Sequence, residues 1–346
     1  MIEVKLDAKD VKLLQNYCEN ATMPLKLLAK KIGLSREATA YRIKRLTKEG
    51  LITRIAAKID ASRFYPNAYC LFLRFSKLND AIRNMAVDVL VKNENTMWVT
   101  TAGGEFDLIT SFLTQNSEQL ARIIKQLESA LGKNLKDYAV LTYEKEYKNR
   151  FSDLFDEQGT IEHTPHIIRA YQPAGTLDDA DLTLLYALSL NANLTNKQLS
   201  EMTSLTPEAV RIRIKNLEKQ NLIHGYRAML DICKLKRETY YLLIKFDGLS
   251  AENEQKLQTY ILQNKHIYYS AKNRRRLQLH RKHVCTQQRR TTTIPRRFSQ
   301  HFFRLPLRNP RTNPLQRTQT HIFPASMPAA RSRQKSGKTY DPMTSF

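Results

Sequence analysis

A cluster of basic and polar side chains follows Ser35 near the N-terminus. Ser35 is a good N-cap for a helix that runs to about Glu49, and such a helix start offers N–H groups and a positive dipole end to a phosphate. The periodicity predicts that Arg36 and Lys44 lie on the open side, where these side chains suit phosphates or guanine. The candidate DNA-contacting residues of this segment are Ser35, Arg36, Glu37, Ala40, Tyr41, Arg42, Lys44 and Arg45.

Two preceding helices must position this basic helix. Asp7 can cap the first of them, and a second, short helix starts near Leu25 and is stopped by Gly33. A short helix, a turn containing glycine and a capped basic helix are typical of a helix-turn-helix, and residues 51–56 are predicted to form a β wing. The pattern favours binding to double-stranded DNA. The alternative is a three-helix domain whose basic face is solvated and serves only protein contacts.

The same plan occurs twice in the chain, at an offset of 171 residues without gaps. The second copy has Pro207 and Ile212 where the first has Arg36 and Tyr41, so the two helices are expected to prefer unlike half-sites. Its candidate DNA-contacting residues are Thr206, Arg211, Arg213 and Lys215. Matching pairs include Leu6/Leu177, Asp7/Asp178, Asp10/Asp181, Arg42/Arg213, Lys44/Lys215, Leu51/Leu222 and Asp60/Asp231.

After each helical segment the period changes to that of strands. Residues 69–75 are rich in β-formers, residues 79–92 are amphipathic, and two further strands flank Gly103-Gly104. The predicted order is βαββαβ, a ferredoxin-like sandwich on an antiparallel sheet, and the fold class is α+β. The predicted divisions are a winged helix-turn-helix at 1–62, a ferredoxin-like domain at 66–150, a linker at 151–176, a second winged helix-turn-helix at 177–236, an incomplete ferredoxin-like domain at 237–272 and a disordered basic tail at 273–346.

Several linked motifs in residues 1–148 resemble the Lrp/AsnC family of transcriptional regulators. They are Leu6-Asp7-x-x-Asp10, Leu28-Ala29-x-x-Ile32-Gly33-Leu34-Ser35, Arg42-Ile43-Lys44-Arg45-Leu46-x-x-x-Gly50-Leu51-Ile52 and Gly104-Glu105-Phe106-Asp107-Leu108.

This resemblance implies a sequence-specific regulator that dimerises sheet to sheet and responds to an amino acid or a similar small effector. It also implies that Thr101, Gly104 and Asp107 are the effector-site candidates; alternatively, the two glycines only make a hairpin that Asp107 caps. The partners expected are DNA, the effector and a second unit, supplied either by a homo-oligomer or by an intramolecular pseudo-dimer.

The second copy loses this pattern after Ala271. The segment from Arg274 onward carries 17 Lys and Arg against one acid, Asp341, and seven of the twelve prolines. Such a composition cannot bury enough apolar surface to offset its ordering entropy, so we expect disorder. Reading Asn273 onward one nucleotide later can restore a Gly-Asp-Phe turn in register with the first copy, which suggests a frameshift product; the alternative is a genuine basic tail that adds phosphate contacts.

Bulk properties narrow the functional classes. Most of the net charge of +23 belongs to the tail, so charge alone does not indicate DNA binding. The four scattered cysteines form no C-x-x-C pair, no apolar run is long enough to span a membrane, and no signal peptide is seen, so we expect a cytoplasmic protein with reduced thiols and no membrane partner.

An enzyme alternative shares the architecture. Sirohaem decarboxylases resemble the regulator family but act on a porphyrin. This sequence has no histidine before His163 and shows no Cys/His metal cluster, phosphate loop or nucleophile–base pair. We therefore expect neither a catalytic residue, nor a metal, nor a cofactor.

Overall fold

The computed structural model describes residues 4–155, 174–235, 238–245, 250–264, 266–273, 276–283 and 302–306. Each copy of the repeat begins with three helices and a strand. We call residues 6–59 the first head and residues 177–230 the second head. The first head consists of α1 (Ala8–Glu19), α2 (Leu25–Ile32), α3 (Arg36–Lys48) and β1 (Ile52–Ile59). The second head consists of α6 (Asp179–Leu190), α7 (Asn196–Thr203), α8 (Pro207–Lys219) and β6 (Ile223–Leu230).

Local sequence signals explain the helix ends. The Asp7 carboxylate accepts hydrogen bonds from the backbone N–H groups of Lys9 and Asp10. The Asp10 carboxylate in turn accepts one from the Asp7 N–H, which completes a capping box. Ser35 caps α3 through a 3.1 Å hydrogen bond from the Ala38 N–H. Gly33 ends α2 in the left-handed region at φ +69°. The predicted extents of these helices are confirmed.

The two heads are joined by a two-stranded antiparallel ribbon formed by β1 and β6. Ala56 pairs with Arg227, which occupies the same position of the repeat, so an internal two-fold axis passes between them. Two symmetric hydrogen bonds repeat this relation, because the Asp60 N–H donates to the Leu222 carbonyl and the Asp231 N–H donates to the Leu51 carbonyl.

The expected β wing is therefore only partly right. Residues 51–56 do enter a strand, but that strand pairs with the other head instead of folding back on its own. Its apolar residues explain the exchange, since Ala57 and Ile59 pack in the core of the second head, whereas Ala228 packs in the core of the first.

The first ferredoxin-like unit has the predicted βαββαβ order. Its strands are hydrogen-bonded in the order β5-β2-β4-β3, and α4 and α5 pack on one face of the sheet. The elements are β2 (Asn67–Phe75), α4 (Asp80–Lys92), β3 (Thr96–Thr101), β4 (Leu108–Thr114), α5 (Ser117–Leu131) and β5 (Leu135–Asn149).

The last strand of this unit, β5, extends beyond its own sheet. The first half of β5 pairs with β2, and its second half, from Tyr143 to Asn149, pairs with strand β8 (Ile267–Asn273) of the second copy. Tyr241 and Leu243 of the second copy also pack against Cys70 and Phe72 of the first sheet. The two sheets are thus joined within one chain, which realises the sheet-to-sheet pairing as an intramolecular pseudo-dimer.

The second unit extends further than expected. Its strands run in the order β10-β7-β9-β8, and β9 pairs with both β7 and β8. Within the segment expected to be disordered, the structure describes strands at residues 276–283 and 302–306, where β7 and β8 offer backbone partners to a chain segment that can extend. The remaining residues from 284 onward lie outside the described residues. The elements are β7 (Glu238–Lys245), α9 (Ala251–Gln263), β8 (Ile267–Asn273), β9 (Arg276–His283) and β10 (Phe302–Pro306).

The predicted linker also begins later than residue 151. Phe151–Leu154 forms a 3-10 helix, and Leu154 and Phe155 are buried against the first head. Asp153 forms a buried 2.5 Å ion pair with Lys148, whose ammonium also donates to the Asn264 carbonyl at 3.0 Å, at the end of α9. These contacts fasten the end of β5 to both copies. Residues 156–173 lie outside the described residues.

Candidate nucleic-acid interface

Most of the residues predicted to contact DNA in the first head are exposed on α3. The buried side of this helix carries Thr39 and Leu46, which fixes the opposite side toward solvent. Tyr41 is 68% exposed, an unusual state for an aromatic side chain in a folded domain. The exposed candidates are Ser35, Arg36, Glu37, Ala40, Tyr41 and Lys44.

Arg42 and Arg45 have a different position from the one expected. Arg42 donates to Asp7 and Asp10 at 2.7 Å, and Arg45 donates to Asp10 at 2.5 Å. Asp10 is only 1% exposed. The two guanidinium groups are thus half-buried anchors that tie α3 to the start of α1. The hydrogen bonds that Arg42 donates to the Asp7 and Asp10 carboxylates raise the pKa of its guanidinium above the ordinary value.

The second head repeats one of these anchors. Arg213 donates to Asp178 at 2.6 Å and to Asp181 at 2.9 Å. The Asp181 N–H and the Arg213 guanidinium hold the pKa of Asp178 below its ordinary value, although partial burial opposes the shift. Asn216 stands at the position of Arg45, so the second anchor is missing. Sequence reasoning missed the aspartates as anchors, although both copies keep the Asp, Asp and Arg at the same spacing.

The open side of α8 differs in chemistry from that of α3. Thr206 caps the helix by accepting from the Ala209 N–H at 3.2 Å, and Pro207 takes the first helical position. Arg211 is exposed but forms an ion pair with Glu208 one turn earlier. Ile212 is 47% exposed and Lys215 is exposed. The second head therefore presents an aliphatic side chain where the first presents a phenol.

The predicted effector residues lie at the turn between β3 and β4. Thr101 ends β3 opposite Leu108, and Gly104 has a φ of +123°. Asp107 has a structural role there, since its carboxylate accepts from the Phe75 N–H at 2.8 Å and its own N–H donates to the Leu73 carbonyl. The structure thus brings the three residues to one hairpin and uses Asp107 to fasten it to the end of β2.

Arg74, which sequence reasoning did not single out, clamps the same turn. Its Nε donates to the Glu105 carbonyl at 2.7 Å, and its guanidinium also forms a 3.2 Å ion pair with the Glu105 carboxylate. The guanidinium lies 5.6 Å from the centroid of the Phe106 ring. The only sequence signal was a cation at the end of an otherwise apolar strand.

The second copy has a shorter connection at this place. Asn273 pairs with Arg276, so two residues join β8 to β9, whereas six residues join β3 to β4. Leu73 and Ile244 occupy the same position of the repeat. Leu73 faces Leu108, but Ile244 faces Leu277, which lies two residues before the position equivalent to Leu108. The pairing of β7 with β9 is therefore shifted by two residues from that of β2 with β4. The glycine turn of the first copy is not reproduced.

No group of three or more His, Cys, Asp or Glu residues that could hold a metal ion occurs among the described residues. Within the same residues, no helix combines the length and the apolar character needed to cross a membrane.

Comparison with known proteins agrees with this geometry. A family model described as winged helix-turn-helix DNA-binding matches residues 6–53 and again residues 177–224. An uncharacterized HTH-type transcriptional regulator of Pyrococcus abyssi is 29% identical over 120 residues, which are 34% of this chain and 80% of that protein. The leucine-responsive regulatory protein of Haemophilus influenzae is 42% identical over 55 residues, 16% of this chain and 33% of that protein.

Among solved structures, the siroheme decarboxylase NirDL has a TM-score of 0.50 at 12% identity, covering 81% of this chain and 83% of that one. This likeness shows a shared fold over both copies. Two winged helix-turn-helix heads on joined ferredoxin-like sheets define a tandem DNA-binding protein. Together with the sequence relatives, these findings support a transcriptional regulator of the Lrp/AsnC type with tandem helix-turn-helix units.

Proposed function

We propose that one chain reads an imperfect palindrome in double-stranded DNA, with α3 on one half-site and α8 on the other. The observation that carries this proposal is the internal two-fold axis at Ala56 and Arg227, which relates the two heads. A two-fold pair of helix-turn-helix heads matches the symmetry of two half-sites, and the second helix of each unit enters the major groove.

The two half-sites should differ because the two surfaces differ. Arg36 and Lys44 of the first head can contact phosphates or guanine, and Tyr41 can contact a sugar or a thymine methyl group. On α8, Ile212 can make only apolar contact, and Arg211 shares its guanidinium with the Glu208 carboxylate. We therefore expect the second half-site to depend less on guanine contacts.

Fluorescence anisotropy with the DNA upstream of the chain's own gene tests this proposal. Lys44→Ala should weaken binding and reduce the slope of log affinity against log salt by about one. Lys125→Ala, an exposed lysine on α5, is the matched control and should change neither. Binding by the parent chain that is absent even at low salt would favour a module that serves only protein contacts.

We also propose that an amino acid or a similar small effector binds at the first-copy hairpin, near Thr101 and Gly104. Support comes from the positive φ of Gly104, where the lack of a side chain leaves backbone groups accessible. Because the second copy has only a two-residue connection here, we expect one effector per chain.

Isothermal titration of the full chain with the common amino acids tests the effector proposal. A stoichiometry near one is expected for the effector, and Thr101→Val should weaken it without changing the melting temperature. Asp107→Asn should lower the melting temperature as well, since Asp107 fastens the hairpin to Phe75. Two effectors per chain, or unchanged affinity in Thr101→Val, would contradict the placement.

A decarboxylase remains the second candidate because the fold likeness to NirDL extends over both copies. We favour the regulator, since the Pyrococcus abyssi relative is named a transcriptional regulator and the Haemophilus influenzae relative a leucine-responsive regulatory protein. In the described residues, the space between the sheets is filled by side chains such as Phe72, Phe106 and Tyr241. Adding sirohaem to the purified chain should leave the Soret absorbance of the free tetrapyrrole unchanged; a shifted band with loss of carboxyl groups would establish the enzyme.

We propose that the regulator is a cytoplasmic protein, since it must reach DNA. Cys18 and Cys70 are buried cysteines that are not joined in a disulfide, consistent with a reducing compartment. Burial raises the pKa of Cys18 to about 12, so this thiol is not a reactive nucleophile.

A further inference from the structure

The ribbon between the heads has one face on which charge is distributed unequally between the two copies. On β1 this face carries Arg54, Ala56 and Lys58, because alternate residues of a strand point to the same side. On β6 the same repeat positions are Gly225, Arg227 and Met229. Three cations therefore share one face, two from the first copy and one from the second.

The register places Arg54 and Arg227 opposite neutral residues. Arg54 faces Met229, and Arg227 faces Ala56. Ala56 and Met229 are buried together on this face, at 0% and 5% exposure. Arg54, Lys58 and Arg227 are half-buried. Burial lowers the pKa of Arg54, and the charge of Arg227 lowers it further, so this face has little tolerance for added positive charge.

A ribbon made of two strands from the same copy would no longer place these cations opposite neutral residues. Met229 occupies the repeat position of Lys58, so in a ribbon made of two first-copy strands Arg54 would face Lys58 at both ends. In a ribbon made of two second-copy strands, Arg227 would face Arg227 on the axis. Directly opposed side chains have Cβ atoms about 4.5–5.5 Å apart, and like charges at that separation are destabilising.

We propose that this face of the ribbon selects its partner: the first-copy strand accepts a second-copy strand and rejects another first-copy strand, and the second-copy strand behaves likewise. Two acids balance the charge that remains. The Glu19 carboxylate lies 3.8 Å from the Lys58 ammonium, and Glu146 attracts Arg227. Leu190 stands at the repeat position of Glu19, so this compensation also belongs to one copy only.

Charge repulsion disfavours a pair of strands from the same copy, and side-chain packing favours the pair of β1 with β6. It keeps the heads of two neighbouring chains from exchanging like strands, and it holds the unlike recognition helices α3 and α8 together. The order of the two half-sites on DNA would follow from this pairing.

Three variants of the full chain measure the repulsion between Arg54 and a cation at position 229. Met229→Lys creates the Arg54–Lys pair of the rejected ribbon, and Met229→Gln is the control for burying a polar side chain at that place. Met229→Lys should melt at least about 3 °C below Met229→Gln in low salt, and added salt should narrow the difference. Adding Arg54→Met to Met229→Lys should restore the melting temperature to that of Met229→Gln.

Equal melting temperatures for the Lys and Gln variants would overturn the proposal, and so would a failure of Arg54→Met to restore stability. Should Met229→Lys not fold at all, the double variant decides: a folded double variant supports the proposal, and an unfolded one contradicts it.

Discussion

Positions 33 and 204 show how one backbone plan is met by different residues in the two copies. Gly33 and Ser204 occupy equivalent positions after α2 and α7, and both adopt the left-handed region, at φ +69° and +58°. A residue with a Cβ is strained there by about 1–2 kcal/mol, whereas glycine is not. The turn of the second head is therefore held by tertiary packing against local preference.

Ser204→Gly should stabilise the chain by about 0.5–1 kcal/mol, because the relief of strain exceeds the entropy that glycine loses on folding. The reverse change, Gly33→Ser, should destabilise it, and the Lys9 ammonium would also have to move from its place 2.9 Å from the new Cβ. Urea unfolding measures both. A lower stability in Ser204→Gly would show that the serine side chain contributes more than its strain costs.

Glu146 gives the folded chain a pH dependence of defined sign. Burial raises its pKa from 4.5 to about 7, while Arg227 and Asn149 oppose the shift. A carboxyl group with a raised pKa binds its proton more tightly in the folded state. Its favourable contribution to the free energy of unfolding is therefore fully present below its pKa in the unfolded chain, and it is lost as the pH rises through about 7.

Glu146→Gln should remove this dependence. Between about pH 5 and pH 7.5, the parent chain should lose free energy of unfolding relative to the variant, as measured by urea unfolding at a series of pH values. Other titrating groups are common to both chains and cancel in the difference. A difference that does not change with pH would contradict the raised pKa.

At the scale of elements, the two recognition helices are held with unequal strength. The Asp10 carboxylate accepts hydrogen bonds from both Arg42 and Arg45. The Asp181 carboxylate forms an ion pair with Arg213, and its side chain is 17% exposed. Hydrogen bonds to charged groups contribute about 1.5–3 kcal/mol each, and more is lost when a buried charge is left alone. The first helix is thus the more firmly positioned of the two.

Asp10→Asn should therefore cost more stability than Asp181→Asn, by about 1–2 kcal/mol, and should weaken DNA binding by misplacing α3. Thermal unfolding compares the two variants directly. Tyr41→Ala is the useful counterpart, since its exposed ring should affect DNA affinity with little change in melting temperature. Equal losses in the two aspartate variants would contradict the unequal anchoring.

Sequence patterns predicted some of these elements well and others poorly. The helices of the heads were predictable because Asp7, Ser35 and Gly33 act locally as caps and stops. The pairing of β1 with β6 was not, because a strand pattern does not say which distant strand will be its partner. Arg42 and Arg45 were counted among the DNA-contacting residues without their acidic partners, because helical periodicity does not reveal an acid contributed by another helix.

At the scale of the whole molecule, the duplication joins two copies of one unit within a single chain. The ribbon, the long strand β5 and the packing of Tyr241 against the first sheet all join one copy to the other within a single chain. Because the copies are covalently linked, each position is free to differ between them, as Ala56 and Arg227 do on the axis itself. A homodimer could not place unlike residues there.

The stoichiometry of the DNA complex tests this account most directly. A duplex selected from random sequence by the full chain would be titrated with protein, and the mass of the complex measured by native mass spectrometry alongside a footprint. The internal two-fold axis predicts one chain per duplex, with two protected half-sites of unlike sequence. Two chains on each duplex with identical half-sites, or one chain protecting a single half-site, would contradict it.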